Sequence, residues 1–136
     1  MDEERLAAFA AVLPAISAFK RAFGRDLSPD FVAELYAARE LDLELPGRRN
    51  QPGSDAIDAT GHRYQVKFRS PDTQNVDTNN FDFDYIVLIN LTDDYALAGL
   101  WRMDRATAQG IFAHRPDYRK WQITQARFKQ AAERIR

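Results

Sequence analysis

The chain of 136 residues has no cysteine and only two histidines, His62 and His114. The missing thiols exclude disulfides, thiolate zinc sites and a cysteine nucleophile, and two imidazoles are too few for a histidine-rich metal centre. Any metal must therefore rest mainly on carboxylate and amide oxygens, which favours Mg²⁺ or Mn²⁺ over Zn²⁺. There is no glycine-rich phosphate loop and no nucleophile elbow, so nucleoside-triphosphate and serine-hydrolase chemistries find no support. Long apolar runs are scarce as well. The one long uncharged stretch, residues 6–19, falls short of the roughly 20 apolar residues that span a bilayer. It also follows Asp2, Glu3 and Glu4 rather than the basic segment that opens a secretory signal. It reads as a core-facing helix in a cytoplasmic protein.

What is present suffices for a core. Apolar residues make up 45% of the chain and charged residues 29%, enough to fold without covalent staples. The length fits one domain, 1–136, and no repeat, low-complexity tract or linker divides it. Net charge is −1 but unevenly spread. Residues 1–45 carry five Lys/Arg against nine Asp/Glu, residues 46–99 five against eight, and residues 100–136 nine against three. A basic C-terminal third can follow a phosphate backbone, or it can be an ordinary solvated helix face.

Leu6, Phe9 and Leu13 recur at helical spacing, Pro14 breaks or restarts that helix, and it ends near Gly24. Ser28 as cap, Pro29 at the first helical position and Asp30 in the first turn open a second helix through about Arg39. Leu41, Leu43 and Leu45 then alternate with acidic residues, which suggests a short strand. Residues 54–59 and 62–69 read as a hairpin about Ala59-Thr60-Gly61, and residues 70–80 as a polar loop. The apolar run 85–89 is expected to be a central strand covered on both faces, with residues 95–103 as its partner. Asp104 caps a short helix, and Thr124 a last one with Ala126, Phe128 and Ala132 on its inner side. The expected fold class is α/β, a mixed central β-sheet of about four or five strands flanked by helices.

The hairpin carries the chemistry. Along 62–69, Tyr64, Val66 and Phe68 point to one face, and Arg63, Gln65, Lys67 and Arg69 to the other. A strand polar on one face is ordinarily a solvated edge, so the partner strand decides. A two-residue loop would force the β-branched Thr60 to positive φ. A three-residue loop needs only Gly61 there, with Asp58 opening a type I turn. That register pairs Asp58 with His62, Ile57 with Arg63 and Asp55 with Gln65, so Asp55, Gln65 and Lys67 share a face. The rival register exchanges Asp55 and Asp58. A carboxylate, an amide oxygen two positions before a lysine, and the lysine are the ingredients of metal-assisted phosphodiester hydrolysis. The oxygens hold Mg²⁺, and the ammonium serves the attacking water and offsets developing charge.

The stretch Gly53-Ser54-Asp55-Ala56-Ile57 with Tyr64-Gln65-Val66-Lys67 resembles the signature of the PD-(D/E)XK nuclease superfamily, the restriction-endonuclease-like fold. The likeness covers about residues 30–103 and extends to small uncharacterised bacterial members. It implies a metal-dependent nuclease acting on DNA, with Asp55, Gln65 and Glu34 as metal ligands and Lys67 beside the scissile phosphate. Glu34 matches the helix glutamate that often joins that metal shell. Two positions depart from the pattern: Ser54 replaces proline, and Gln65 replaces a carboxylate, so the metal gains an oxygen without a charge. Arg69, His114, Arg115, Arg119 and Lys120 are further candidates for phosphate contact, with Tyr118 and Trp121 available to stack on bases, although Trp121 also suits the core. The alternative on the same fold is a catalytically inactive module that binds nucleic acid or a protein. With no second domain for target recognition, a homodimer or partner subunit is expected.

Overall fold

The computed structural model describes residues 1–46, 56–71 and 74–136. Capping sets where its helices begin. Asp2 accepts the Arg5 N–H at 2.8 Å and opens α1 (Glu3–Phe23). Ser28 accepts the Phe31 N–H at 3.2 Å and opens α2 (Pro29–Leu41). Asp104 and Thr124 cap α3 (Arg105–Ile111) and α4 (Gln125–Ala131) in the same way, as their positions in the sequence suggest.

Among the described residues the strands form two sheets. The larger is mixed and five-stranded. It holds β1 (Ala56–Ile57), β2 (Arg63–Arg69), β4 (Tyr85–Leu91), β5 (Leu97–Asp104) and β8 (Glu133–Arg134), side by side in that order. β2 and β4 run parallel, and every other pairing in it is antiparallel. The smaller sheet sets β7 (Lys120–Ile123) between β3 (Val76–Thr78) and β6 (Ala113–Arg115), with a 3-10 turn, Pro116–Tyr118, joining β6 to β7. The chain is thus α/β, with a mixed sheet flanked by helices. β4 lies in the middle of the large sheet and is buried from Ile86 to Leu91, as its unbroken apolar run implies.

Each face of that sheet has its own core. On one, Ala33 and Ala37 of α2 pack on Tyr64, Val66, Val87, Ile89 and Leu100. On the other, Ile86, Leu88, Trp101 and Met103 meet Val76, Ala108, Ile123 and Phe128 from the small sheet, α3 and α4. Close packing has one special demand on β5. Gly99 and Trp101 share a face, and a Cβ on Gly99 would lie 2.2 Å from the indole, so the ring lies over a residue that has no side chain.

Several expectations fail. The first helix is not core-facing: no α1 residue is buried, and Pro14 sits inside an unbroken helix. A proline removes one hydrogen bond from the ladder, and the flanking alanines, the strongest helix formers, carry the helix across it. Among the described residues its C-terminal end is anchored, where Phe19 and Phe23 meet the Phe31 ring edge-on at 5.6 and 5.5 Å. Among the described residues α1 is the one helix long and apolar enough to cross a membrane by length and composition. The leucine alternation at 41–45 is not a strand, because Leu41 ends α2, Asp42 turns at φ 53, and only Glu44 makes a bridge, to Ile57. The segment 70–80 contains β3, whose buried Val76 and Thr78 flank Asp77. Ala126 is exposed, whereas its neighbours Gln125 and Phe128 are buried.

Candidate functional site

The hairpin closes in the three-residue form. Ala56 lies opposite Tyr64 and Ile57 opposite Arg63, the Asp58 N–H donates to the His62 carbonyl at 3.0 Å, and Gly61 takes φ +89. Asp58 is consumed by the turn. Its Oδ1 accepts the Thr60 hydroxyl at 2.7 Å, the Thr60 N–H at 2.9 Å and the His62 N–H at 3.0 Å. The Thr60 hydroxyl is the largest cause, and with the two N–H donors it holds the Asp58 carboxyl well below the usual carboxylate range. Asp55 lies outside the described residues. The hairpin occupies the edge of the large sheet, with β1 outermost.

Strand β2 divides its side chains as the alternation requires. Tyr64 and Val66 are buried against α2, so Gln65, Lys67 and Arg69 project toward the small sheet. There Arg69 meets a residue the sequence did not single out. Asp77 of β3 accepts from the Arg69 guanidinium and from the Lys120 ammonium at 3.1 Å. Burial pushes its carboxyl up. The Lys120 hydrogen bond and the charges of Arg69, Lys120 and Lys67 outweigh that and hold it below the ordinary value. Lys67 therefore stands within electrostatic reach of an ionised carboxylate flanked by two further cations. The only signal for Asp77 in the sequence was its place between Val76 and Thr78, and the polar surroundings masked that alternation.

Beside this cluster a buried amide network fixes the end of β2. The Asn90 amide donates to the Arg69 carbonyl at 2.8 Å and to Gln125 Oε1 at 3.0 Å. The Gln125 amide in turn donates to the Ser70 carbonyl at 2.8 Å. Both side chains are almost wholly buried, so β2, β4 and α4 are tied where Lys67 and Arg69 project. Neither amide was legible as anything but a strand or helix residue.

Glu34 lies on α2, and its side chain is 14% exposed. Arg25 reaches it at 2.8 Å while the same guanidinium lies 3.7 Å from the centre of the Phe31 ring. A cation approaching Glu34 would compete with that guanidinium. Among the described residues no group of three His, Asp or Glu side chains is placed to hold a metal. The donors expected for Mg²⁺ fit a hard, oxygen-bound ion in kind. In number and charge they depend on Asp55, since Gln65 is neutral and Glu34 already has a cationic partner.

The remaining basic candidates divide in two. Arg69 and Lys120 belong to the Asp77 cluster. His114, Arg115 and Arg119 lie on the β6–β7 hairpin and are exposed. The His114 ring lies 4.7 Å from Trp121, and Arg115 stands over Tyr118 at 5.8 Å. Tyr118 is 62% exposed, while Trp121 packs partly into the core against Phe81 at 5.1 Å. The hairpin thus presents an aromatic ring between cationic side chains. Compared with known proteins, the chain matches no family model, and no curated protein matches it in sequence.

Proposed function

We propose that this chain is a metal-dependent nuclease of the PD-(D/E)XK type, acting on DNA in the cytoplasm. The observation that carries this is the hairpin register. With Ile57 opposite Arg63 and Asp58 committed to the turn, the sequence expectation that sets Asp55 across from Gln65 keeps its premise. Mg²⁺ or Mn²⁺ held by Asp55 and Gln65, with Glu34 joining after release from Arg25, would supply a polarised phosphate oxygen and an acidified water. Lys67 would orient that water and offset charge developing on the phosphate. His114, Arg115 and Arg119 would hold the backbone of the strand, with Tyr118 stacking on a base.

The test is a titration with Mg²⁺ and Mn²⁺ on single- and double-stranded DNA and RNA. Cleavage should appear with metal and fall by roughly 10²–10³ in Lys67→Ala, with the melting temperature nearly unchanged. Gln65→Glu should tighten Mg²⁺ binding by calorimetry, since a carboxylate replaces an amide. A specific observation supports a second reading, a non-catalytic nucleic-acid-binding module: Glu34 is already neutralised by Arg25, and Gln65 carries no charge. DNA binding that weakens steeply with salt, with no cleavage under any metal, would select it.

A further inference from the structure

The β6–β7 hairpin concentrates local costs that its own packing does not offset. Residues 113–120 hold Arg115, Arg119 and Lys120 against Asp117, a balance of +2 in a chain whose net charge is −1. Arg115 lies directly opposite Lys120, and like charges set across a ladder repel. Arg119 turns the chain at φ 53 and ψ 41, a left-handed conformation that glycine or asparagine adopts with less strain. Its exposed side chain gains no core contact in return. Tyr118, at the tip, is 62% exposed, and its ring meets the Arg115 guanidinium. Among the described residues no carboxylate lies within ion-pair distance of Arg115 or Arg119.

The cations form a line. Arg115 and Lys120 share the face of the small sheet that carries Asp77, because Lys120 alternates with Trp121 and reaches Asp77 at 3.1 Å. Arg69 is committed to holding that face: its guanidinium donates to the Phe68 and Asn75 carbonyls and to Asp77. It balances the Asp77 charge, and Lys67 and Lys120 add theirs beside it. Charge therefore runs from Lys67 through Lys120 to Arg115, with the Tyr118 ring at the far end. We propose that this line is a track for single-stranded DNA, with one unstacked base laid on Tyr118 and the phosphates beyond it held by Arg115, Arg119 and Lys120 on the way to Lys67. The proposal rests on the reading of the chain as a protein that acts on DNA, and it adds which DNA: a single strand rather than a duplex.

Stacking selects the single strand. An aromatic ring stacks on any base whose face is open. Inside a duplex both faces of each base are covered by its neighbours, so Tyr118 would bury nothing there. Phosphates also relieve each local cost: one between Arg115 and Lys120 turns their repulsion into attraction, and one beside Arg119 gives it a counter-ion. A two-stranded ribbon can enter the major groove of a duplex. β7 is not such a ribbon, because its other edge is paired with β3 and Trp121 packs against Phe81.

Fluorescence anisotropy of the full chain tests this, with a labelled single strand and with the same sequence as a duplex, at one salt concentration and in EDTA so that nothing is cleaved. The single strand should bind at least about 5-fold more tightly than the duplex. Tyr118→Ala should weaken single-strand binding by about 5- to 150-fold, the loss of one base–aromatic stack. Tyr118→Phe should keep the affinity, since the ring and not the hydroxyl stacks. Arg115→Gln should lower the slope of log affinity against log salt by about 0.7, as for one phosphate contact to a single strand. Arg119→Gly should bind more weakly yet melt no lower than wild type, because glycine relieves the left-handed turn; a structural role alone would leave affinity unchanged. Equal or tighter binding of the duplex overturns the proposal, as does no binding, binding indifferent to Tyr118→Ala, or poly-glutamate that competes as well as the unlabelled strand. Cleavage is read separately. Single-strand binding with these dependences and no cleavage under any metal upholds the track and removes the nuclease, whereas metal-dependent cleavage of duplex alone removes the track.

Discussion

Replacing Asp77 with Asn keeps the shape of the side chain and removes its charge from between Arg69, Lys120 and Lys67. Asp77 and Arg69 are each about four-fifths buried, with side chains 20% and 18% exposed, whereas Lys120 is 42% exposed. Breaking a fully buried ion pair costs about 3–5 kcal/mol because the survivor is stranded, and an exposed pair contributes about 0–1 kcal/mol. The Arg69 contact lies near the first limit and the Lys120 contact near the second. Arg69 also keeps its bond to the Asn75 carbonyl at 2.8 Å, which limits its stranding. The expected loss is about 2–3 kcal/mol, or about 6–9 °C in melting temperature for a chain of this length. The pH dependence identifies the cause. Because the folded carboxyl lies below its ordinary value, its contribution is fully present above the unfolded pKa of about 3.9 and is lost as pH falls through the folded value. Thermal melts of both proteins should differ fully at pH 7 and converge progressively below about pH 4. Equal melting temperatures at pH 7, or a gap that persists unchanged into acid, would refute the assignment of this stability to charge.

Three other substitutions probe the scaffold. Gln125→Leu removes the donor to the Ser70 carbonyl and the acceptor for Asn90; stranding an N–H of the buried Asn90 amide should cost about 1–3 kcal/mol, seen as a lower urea midpoint. Gly99→Ala pushes a methyl into the Trp101 indole, and such overpacking costs about 1–3 kcal/mol. Its melting temperature should fall, and tryptophan fluorescence should shift as the ring is displaced. Gly61→Ala forces a Cβ into φ +89 and should cost about 1–2 kcal/mol from backbone strain alone. Open space around Gly61 makes a larger loss inconsistent with that account.

Local chemistry alone was enough for the caps, the turn and the strand faces. Ser28, Asp104 and Thr124 each satisfy orphan N–H groups within three residues of themselves, so their helices start where the sequence marks them. Gly61 decided the hairpin register because it alone in the loop takes positive φ without penalty, and Asp58 went to the turn for the same local reason. Alternation on β2 separated Tyr64 and Val66 from Gln65 and Lys67, since period two is a property of the strand itself. What the tertiary structure decided lies at longer range. Asp77 meets Lys120 because β3 pairs with β7 across more than forty residues of chain, and no local pattern encodes that encounter. Asn90 and Gln125 likewise find each other 35 positions apart. The exposure of α1 shows the limit most plainly: an apolar period of 3.6 specifies that a helix has a sticky face, but what that face meets depends on where the rest of the chain has gone, and here the described residues leave it exposed.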